Sequence, residues 1–193
     1  MGRLAPLLAC VLGAVIALAP PACADEAGLR ALAAGGHVVI VRHGLTMPGF
    51  GDPPGFRIED CATQRNLVKE GREQARALGR LLRERGVKIE RLLSSEWCRR
   101  QETAALMRLG EAGILPALNN LFGRPELRDT QVRDLRAVIA AWKGSGTLLL
   151  ISHGSTIFAL SGVSPRETEG VVLEPAPETA EGFRLVGKIG PAG

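Results

Sequence analysis

The chain has 193 residues, of which 46% are hydrophobic and 23% are charged, the ordinary balance of one globular domain with a substantial core. This balance excludes a disordered or fibrous chain. The net charge of +4 is spread along the chain, and aromatic residues make up only 4%, which disfavours nucleic acid as a partner and fits a small anionic substrate.

The first segment of the chain has the features of a secretory signal peptide. Arg3 supplies a positive charge, residues 7–18 form an apolar stretch, and the Ala-Cys-Ala sequence at 22–24 offers small residues for cleavage. We therefore predict a signal peptide over residues 1–24 and a single domain over residues 25–193. The mature protein is expected to be secreted or periplasmic.

Two alternatives for this first segment stay open. A membrane anchor is disfavoured because the apolar stretch is shorter than the roughly 20 residues that span a bilayer. A lipoprotein signal ending at Cys23 is disfavoured because Pro20, Pro21 and Ala22 match the usual Leu-Ala-Gly poorly. No later apolar segment approaches spanning length, so we expect no membrane span after removal of the signal.

Predicted strands and helices alternate along the rest of the chain. Two continuous apolar runs are typical of strands buried on both faces of a parallel sheet, and apolar residues at helical spacing predict the longer helices. The predicted elements are strands over 37–42, 89–93, 147–152, 171–173 and 183–189, helices over 68–85, 98–109, 130–143 and 155–161, and a polar loop over 45–64. This order predicts a three-layer α/β/α sandwich with a mostly parallel sheet.

Signal cleavage would leave two of the four cysteines, Cys61 and Cys98. In an oxidising compartment a lone pair of cysteines is more often bonded than free, and the bond would stabilise the fold by roughly 3 to 4 kcal/mol. Two separate buried thiols are the alternative. A zinc site is disfavoured because no CxxC pair or histidine cluster accompanies them, and we expect no metal.

His43 and His153 each follow one of the two apolar strands and precede a glycine. Ligands bind outside the carboxyl ends of strands in open parallel sheets, so both imidazoles are expected in one pocket. Gly44 and Gly154 are expected to let the backbone turn sharply beside a ligand. For either histidine alone, a capping hydrogen bond is the alternative. His37, at the opposite end of the first strand, is predicted to be structural.

Arginines accompany both histidines. Arg42 precedes His43, and the segment SSEWCRRQETA carries two more just after the second strand. Nearby guanidinium groups lower the pKa of an imidazole and bind a phosphoryl group through paired hydrogen bonds. This combination predicts phosphoryl transfer to an unprotonated imidazole, without a metal or another cofactor.

Three motifs, RHG at 42–44, SSxxxRxxxTA at 94–104 and SHG at 152–154, resemble the histidine phosphatase superfamily and its phosphoglycerate-mutase-like fold. The segments DCATQRNL and SSxWC are similar to those of secreted bacterial members, in which two cysteines recur at the positions of Cys61 and Cys98. Because the three motifs occur in order, they are a stronger signal than any one of them alone.

The resemblance implies that His43 is the phosphorylated nucleophile and that Arg42 and Arg99 bind phosphate. His153 would hold the phosphoryl oxygens from the other side, and water would resolve the phosphohistidine. Arg100, the neighbour of the arginine that matches the motif, is expected to face solvent.

The loop after the first strand is expected to contact the substrate. Thr46 matches a hydroxyl residue of the family motif, whereas Leu45 stands where many members have Glu or Gln, so the contacts there stay open. A bond between Cys61 and Cys98 would tie this loop to the residue before Arg99 and hold it over the site.

Many superfamily members also use a Glu or Asp as a general acid that protonates the leaving oxygen. Here the resemblance points to Glu126, with Asp129 behind it, and for each a solvated surface carboxylate is the alternative. Asp52, Glu59 and Asp60 on the loop are further candidates.

The sequence thus predicts a secreted, metal-independent phosphatase that hydrolyses a small phosphorylated substrate through a phosphohistidine on His43. A phosphoglycerate-mutase-type phosphotransferase is one alternative, disfavoured by the secretory signal because its substrate is cytosolic. A catalytically inactive phosphate- or polyanion-binding envelope module is another, disfavoured because Arg42, His43, Arg99 and His153 are all present.

Overall fold

The computed structural model describes residues 24–190, which form one six-stranded sheet with helices on both faces. The helices are α1 (Ala24–Ala34), α2 (Lys69–Glu84), α3 (Cys98–Met107), α4 (Arg128–Ala140) and α5 (Gly154–Ser161). The strands are β1 (Val38–Arg42), β2 (Ile89–Ser94), β3 (Ala112–Ile114), β4 (Thr147–Ser152), β5 (Gly170–Pro175) and β6 (Phe183–Ile189).

The strands follow the order β3-β2-β4-β1-β5-β6 across the sheet. The first four pair in parallel, whereas β5 is antiparallel to both of its neighbours. The sheet is therefore mixed but mostly parallel, which confirms the predicted sheet and the predicted closing strand pair.

Two hydrophobic cores cover the two faces of the sheet. Helices α1, α2 and α3 pack on one face, and α4 and α5 pack on the other. Along β1 the side chains alternate between these cores, Val39 and Val41 facing the first and Val38 and Ile40 the second. This arrangement confirms the three-layer sandwich and explains why β1 and β4 are continuous apolar runs.

Most predicted elements are present with small shifts at their ends. Helix α3 ends at Met107, earlier than predicted, because Arg108 adopts a left-handed conformation with φ of 54°. Helix α4 begins at Arg128 and ends at Ala140, each earlier than predicted.

Helix α1 and strand β3 were not predicted. Leu29 and Leu32, one turn apart on α1, are buried in the first core, but this pattern is too short to stand out in the sequence. A Cβ atom at Gly28 would lie 2.6 Å from the carbonyl oxygen of Lys188, so glycine there allows α1 to approach β6 closely. Strand β3 has three residues and a largely exposed surface, which leaves no periodicity to detect.

The predicted signal peptide lies, apart from Ala24, outside the described residues. Among the helices of residues 24–190, none has both the length and the apolarity needed to cross a bilayer.

Cys61 and Cys98 form a disulfide bond, as predicted. The bond joins the loop between β1 and α2 to the first residue of α3. This loop is therefore anchored at a point beside the carboxyl ends of the strands.

Replacing both cysteines by serine should lower the free energy of unfolding by about 4 kcal/mol, because the bond closes a loop over a sequence separation of 37 residues. Urea unfolding of the variant and of the oxidised wild type measures this difference. Wild-type protein unfolded under reducing conditions serves as the control and should match the variant. Equal urea midpoints for the variant and the oxidised wild type would contradict the prediction.

Candidate active site

The two motif histidines lie side by side at one edge of the sheet. Strands β1 and β4 are parallel neighbours in register, with Arg42 opposite Ser152, so the residues that follow them meet. The ring centroids of His43 and His153 are 5.9 Å apart. The structure therefore brings both imidazoles to one site, as the sheet topology predicted.

The glycine after His43 is needed for packing rather than for an unusual backbone conformation. Neither Gly44 nor Gly154 has a positive φ. A Cβ atom at Gly44 would lie 2.3 Å from the carbonyl oxygen of Gly71, so only glycine lets the end of β1 pass against α2. The amide of Gly44 also donates to Thr103 Oγ1 (3.3 Å), which links this turn to α3.

His43 is held with one ring nitrogen available for attack. Its Nδ1 lies 2.6 Å from the carbonyl oxygen of Gly44, and because a carbonyl can only accept, Nδ1 carries the proton. Burial and then the charge of Arg100 lower the pKa of His43 well below 6.5; Arg99 and Arg42 act in the same direction, and the bond to Gly44 opposes them. The ring is thus neutral near pH 7, with a lone pair on Nε2.

His153 is equally buried and also neutral. Its Nε2 lies 3.1 Å from Ser95 Oγ, and the ring of Trp97 packs edge-on at 5.2 Å between centroids. Burial, followed by the charges of Arg100 and Arg99, lowers the pKa of His153 well below 6.5. Two imidazoles and several guanidinium groups therefore share the site without a protonated histidine.

A cavity of about 370 Å³ opens at these strand ends. Four arginines line it beside the two histidines, namely Arg42, Arg65, Arg99 and Arg100. Within residues 24–190, each of the four has a buried side-chain nitrogen without a hydrogen-bond partner. Unpaired buried donors cost free energy, and four guanidinium groups around one cavity suit it to an anion.

Arg100 is only 1% exposed, so the prediction that it faces solvent is wrong. Its Nε donates to the carbonyl oxygen of Ser152 at 3.2 Å. The first turn of α3 is covered on two sides, by the loop that carries Asp52 and by the end of β4. Arg99 turns toward the loop that carries Asp52, and Arg100 turns toward the end of β4. Both arginines line the cavity.

Asp52 is the loop carboxylate that the structure brings into the site. Its two oxygens accept from both terminal nitrogens of Arg99, from the Arg65 amide and from Trp97 Nε1. Burial alone would raise the pKa of Asp52, but the hydrogen bonds and charge of Arg99, with the other donors, lower it. Asp52 is thus an ionised partner that orients Arg99, a role that the sequence did not single out.

Arg42 is oriented by two partners from the segment before β5. Its Nη2 donates to Glu167 at 2.6 Å and its Nη1 to the carbonyl oxygen of Pro165 at 3.1 Å. The sequence carried no signal for Glu167, which stands in no motif. The cavity arginine Arg65 lies in the DCATQRNL segment, whose resemblance to the family pointed to its cysteine and not to Arg65.

Other predicted residues lie outside the cavity. Thr46 is buried and paired with Leu67 through a backbone bridge. Glu126 lies in a short 3-10 helix, exposed, and does not line the cavity. The structure also places Glu59, Asp60 and Asp129 away from the cavity lining. Among residues 24–190, no three His, Cys, Asp or Glu side chains are grouped closely enough to hold a metal ion.

Solved structures with a similar fold include enzymes described as phosphatases. The protein histidine phosphatase SixA, complexed with tungstate, is 21% identical with a TM-score of 0.58, over 80% of this chain and 97% of that chain. A mycobacterial glucosyl-3-phosphoglycerate phosphatase is 17% identical with a TM-score of 0.57, over 81% of this chain and 98% of that chain. At these identities the likeness shows the fold. A comparison with curated protein sequences gives no match.

A family model extends the comparison from fold to sequence. The model of the histidine phosphatase superfamily (branch 1) matches residues 38–142, more than half of the chain. The match begins at the first residue of β1, ends just beyond α4, and contains the RHG and SSxxxRxxxTA motifs. The chain belongs to the histidine phosphatase superfamily.

Proposed function

We propose that the protein is a metal-independent phosphatase that hydrolyses small phosphomonoesters through a phosphohistidine on His43. One observation carries the proposal: His43, whose Nε2 has a free lone pair, lines a cavity together with four arginines that each have an unpaired buried donor within residues 24–190. The nucleophile and the arginines that would bind an anion thus line the same cavity. A module that only bound phosphate would need the arginines but not the oriented imidazole.

In the first step, the cavity arginines bind the phosphoryl oxygens and Nε2 attacks phosphorus. The nitrogen–phosphorus bond forms as the bond to the ester oxygen breaks. The electron pair stays on that oxygen, which leaves as an oxyanion and takes a proton from water. Charge on the phosphoryl oxygens is met by donors that are already in place, which lowers the barrier without reorganisation of solvent. Asp52 holds Arg99 in position for this contact.

In the second step, water attacks the phosphohistidine, releasing orthophosphate and restoring the neutral imidazole. In this proposal His153 contacts the transferred phosphoryl group from the other side, and its position beside His43 in the same cavity supports that role. Because burial and the arginines keep both rings neutral, His43 is a good leaving group as well as a nucleophile in this cycle.

Several features support this function and an extracytoplasmic location. The names of the similar structures describe phosphatases, and one of them binds tungstate, which mimics phosphate. The Cys61–Cys98 bond is typical of proteins in oxidising compartments, which supports our proposal that the protein is secreted or periplasmic after removal of residues 1–24.

H43A should lower kcat/KM for an aryl phosphate by about a thousandfold or more, because the variant lacks the nucleophile that forms the covalent intermediate. Chelator should leave wild-type turnover unchanged. H37A is the matched control, since His37 lies at the opposite end of β1, and it should retain activity. Brief substrate exposure should leave acid-labile phosphate on His43, and phosphate found on a serine instead would refute the mechanism.

The activity should persist to a lower pH than it would with a nucleophilic histidine of ordinary pKa. A histidine with the usual pKa near 6.5 loses its lone pair below that pH, whereas the pKa of His43 lies well below it. After correction for substrate ionisation, kcat/KM should therefore stay level through pH 6.5 and fall only in more acidic solution. R100Q removes the strongest charge effect on His43 and should move this acid limb to higher pH.

The control for this pH experiment is R133Q, at an exposed arginine on α4 that pairs with its neighbour Asp134. Its profile should match the wild type. A wild-type acid limb at pH 6.5, or a limb that R100Q leaves in place, would contradict the assignment of His43 as the group that titrates.

E126Q should change kcat/KM by less than about twofold, because Glu126 lies outside the cavity and Asp52 is held ionised. Without an acid in the cavity, departure of the alcohol should depend strongly on its own pKa. The rates for a series of aryl phosphates should fall steeply as the pKa of the leaving group rises. A flat series, or a large loss in E126Q, would show that Glu126 reaches the leaving oxygen.

A further inference from the structure

Arg124 presents a fixed positive charge beside the phosphoryl cavity. Its guanidinium lies 5.0 Å from the ring centre of Trp97 and 5.7 Å from that of Phe56. Within the described part of the chain, its side chain makes neither a hydrogen bond nor an ion pair. Stacking on two rings orients the guanidinium and leaves its in-plane donors available.

Arg124 also lines a second cavity, of about 310 Å³, that continues from the first. The two cavities share Phe50, Gly51, Asn120 and Phe122. Phe50 is 94% exposed and Phe122 54% exposed, so neither contributes to a core. Together they form an apolar wall at the common mouth, between the phosphoryl site and Arg124.

Neither of the two nearby carboxylates, Asp52 and Glu96, forms an ion pair with Arg124. Both oxygens of Asp52 are occupied by Arg99, Trp97 and the Arg65 amide. Glu96 lines a neighbouring cavity with Arg124 but accepts from Asn119 Nδ2 at 2.5 Å. Within residues 24–190, Arg124 therefore lines these cavities without an ion pair to either carboxylate.

We propose that Arg124 forms a second anion subsite, and that the preferred substrates are phosphomonoesters with a second anionic group on a short apolar or ring-shaped linker. This inference rests on the proposed function for the first cavity. The phosphoryl group binds among the four arginines, the linker lies against Phe50 and Phe122, and the second anion, a carboxylate or a phosphate, accepts from Arg124.

The kinetic test compares phenyl phosphate with 3-carboxyphenyl phosphate, which differ in the second anion. The ratio of their kcat/KM values should favour the carboxylated probe by about tenfold in the wild type, mainly through KM. R124Q should bring the ratio close to the value expected from the different pKa values of the two phenol leaving groups. R133Q, the control at an exposed arginine, should keep the wild-type ratio. R124K should restore part of the preference, and added salt should reduce it.

A binding test separates this inference from the proposed function, because it needs no turnover. By calorimetry, H43A should bind 3-carboxyphenyl phosphate about tenfold more tightly than phenyl phosphate, and H43A/R124Q should bind them equally. Thermal unfolding of R124Q checks that the fold is retained. Glucose 6-phosphate and glucose 1,6-bisphosphate repeat the comparison with phosphate as the second anion.

The outcomes are distinct. Loss of turnover with both probes, combined with the calorimetric preference, would remove the proposed phosphatase activity and keep the subsite. Equal affinity of H43A for the two members of both probe pairs, or a preference that survives in R124Q, would overturn the subsite whatever the enzyme hydrolyses.

Discussion

Two adjacent guanidinium groups, those of Arg99 and Arg100, are buried side by side at the carboxyl edge of the sheet, and the chemistry of the site depends on this arrangement. Burying two like charges is unfavourable, and within residues 24–190 only Arg99 of the two has a carboxylate partner, Asp52. Burial, and after it these two charges, lowers the pKa of His43 and of His153 and keeps both rings neutral. An anion in the cavity would reduce this repulsion, so the same two arginines favour anion binding and a neutral imidazole.

The rest of the fold keeps this unfavourable cluster in place. The apolar strands β1 and β4, buried on both faces, fix the positions of the two histidines. On the other side, the Cys61–Cys98 bond anchors the loop whose Asp52 faces Arg99. Because such a cluster opposes folding, its geometry is maintained by the packed strands and the covalent link rather than by the charges themselves.

The parts of the structure that could be predicted are those set by local pattern. Continuous apolar runs predicted β1 and β4, and the rule that ligands bind at strand ends placed His43 and His153 together. The direction of Arg100 could not be predicted, because it depends on which sides of α3 are covered after docking. Asp52 was one of several acids on a loop without periodicity, and only the folded loop shows which of them meets Arg99.

Trp97 connects the phosphoryl site to the region beyond it. Its indole nitrogen donates to Asp52 at 2.9 Å, its ring packs against His153, and its face supports the guanidinium of Arg124. One rigid side chain thus touches the partner of a phosphate-binding arginine, a histidine of the site and the cation of the neighbouring cavity. A group that binds at Arg124 is therefore held in a fixed position relative to the phosphoryl site, because both are positioned against the same ring. Such shared positioning orients a substrate only if the substrate spans both cavities. In the reaction that we propose, the alcohol portion as well as the phosphoryl group then contributes to alignment for attack by His43.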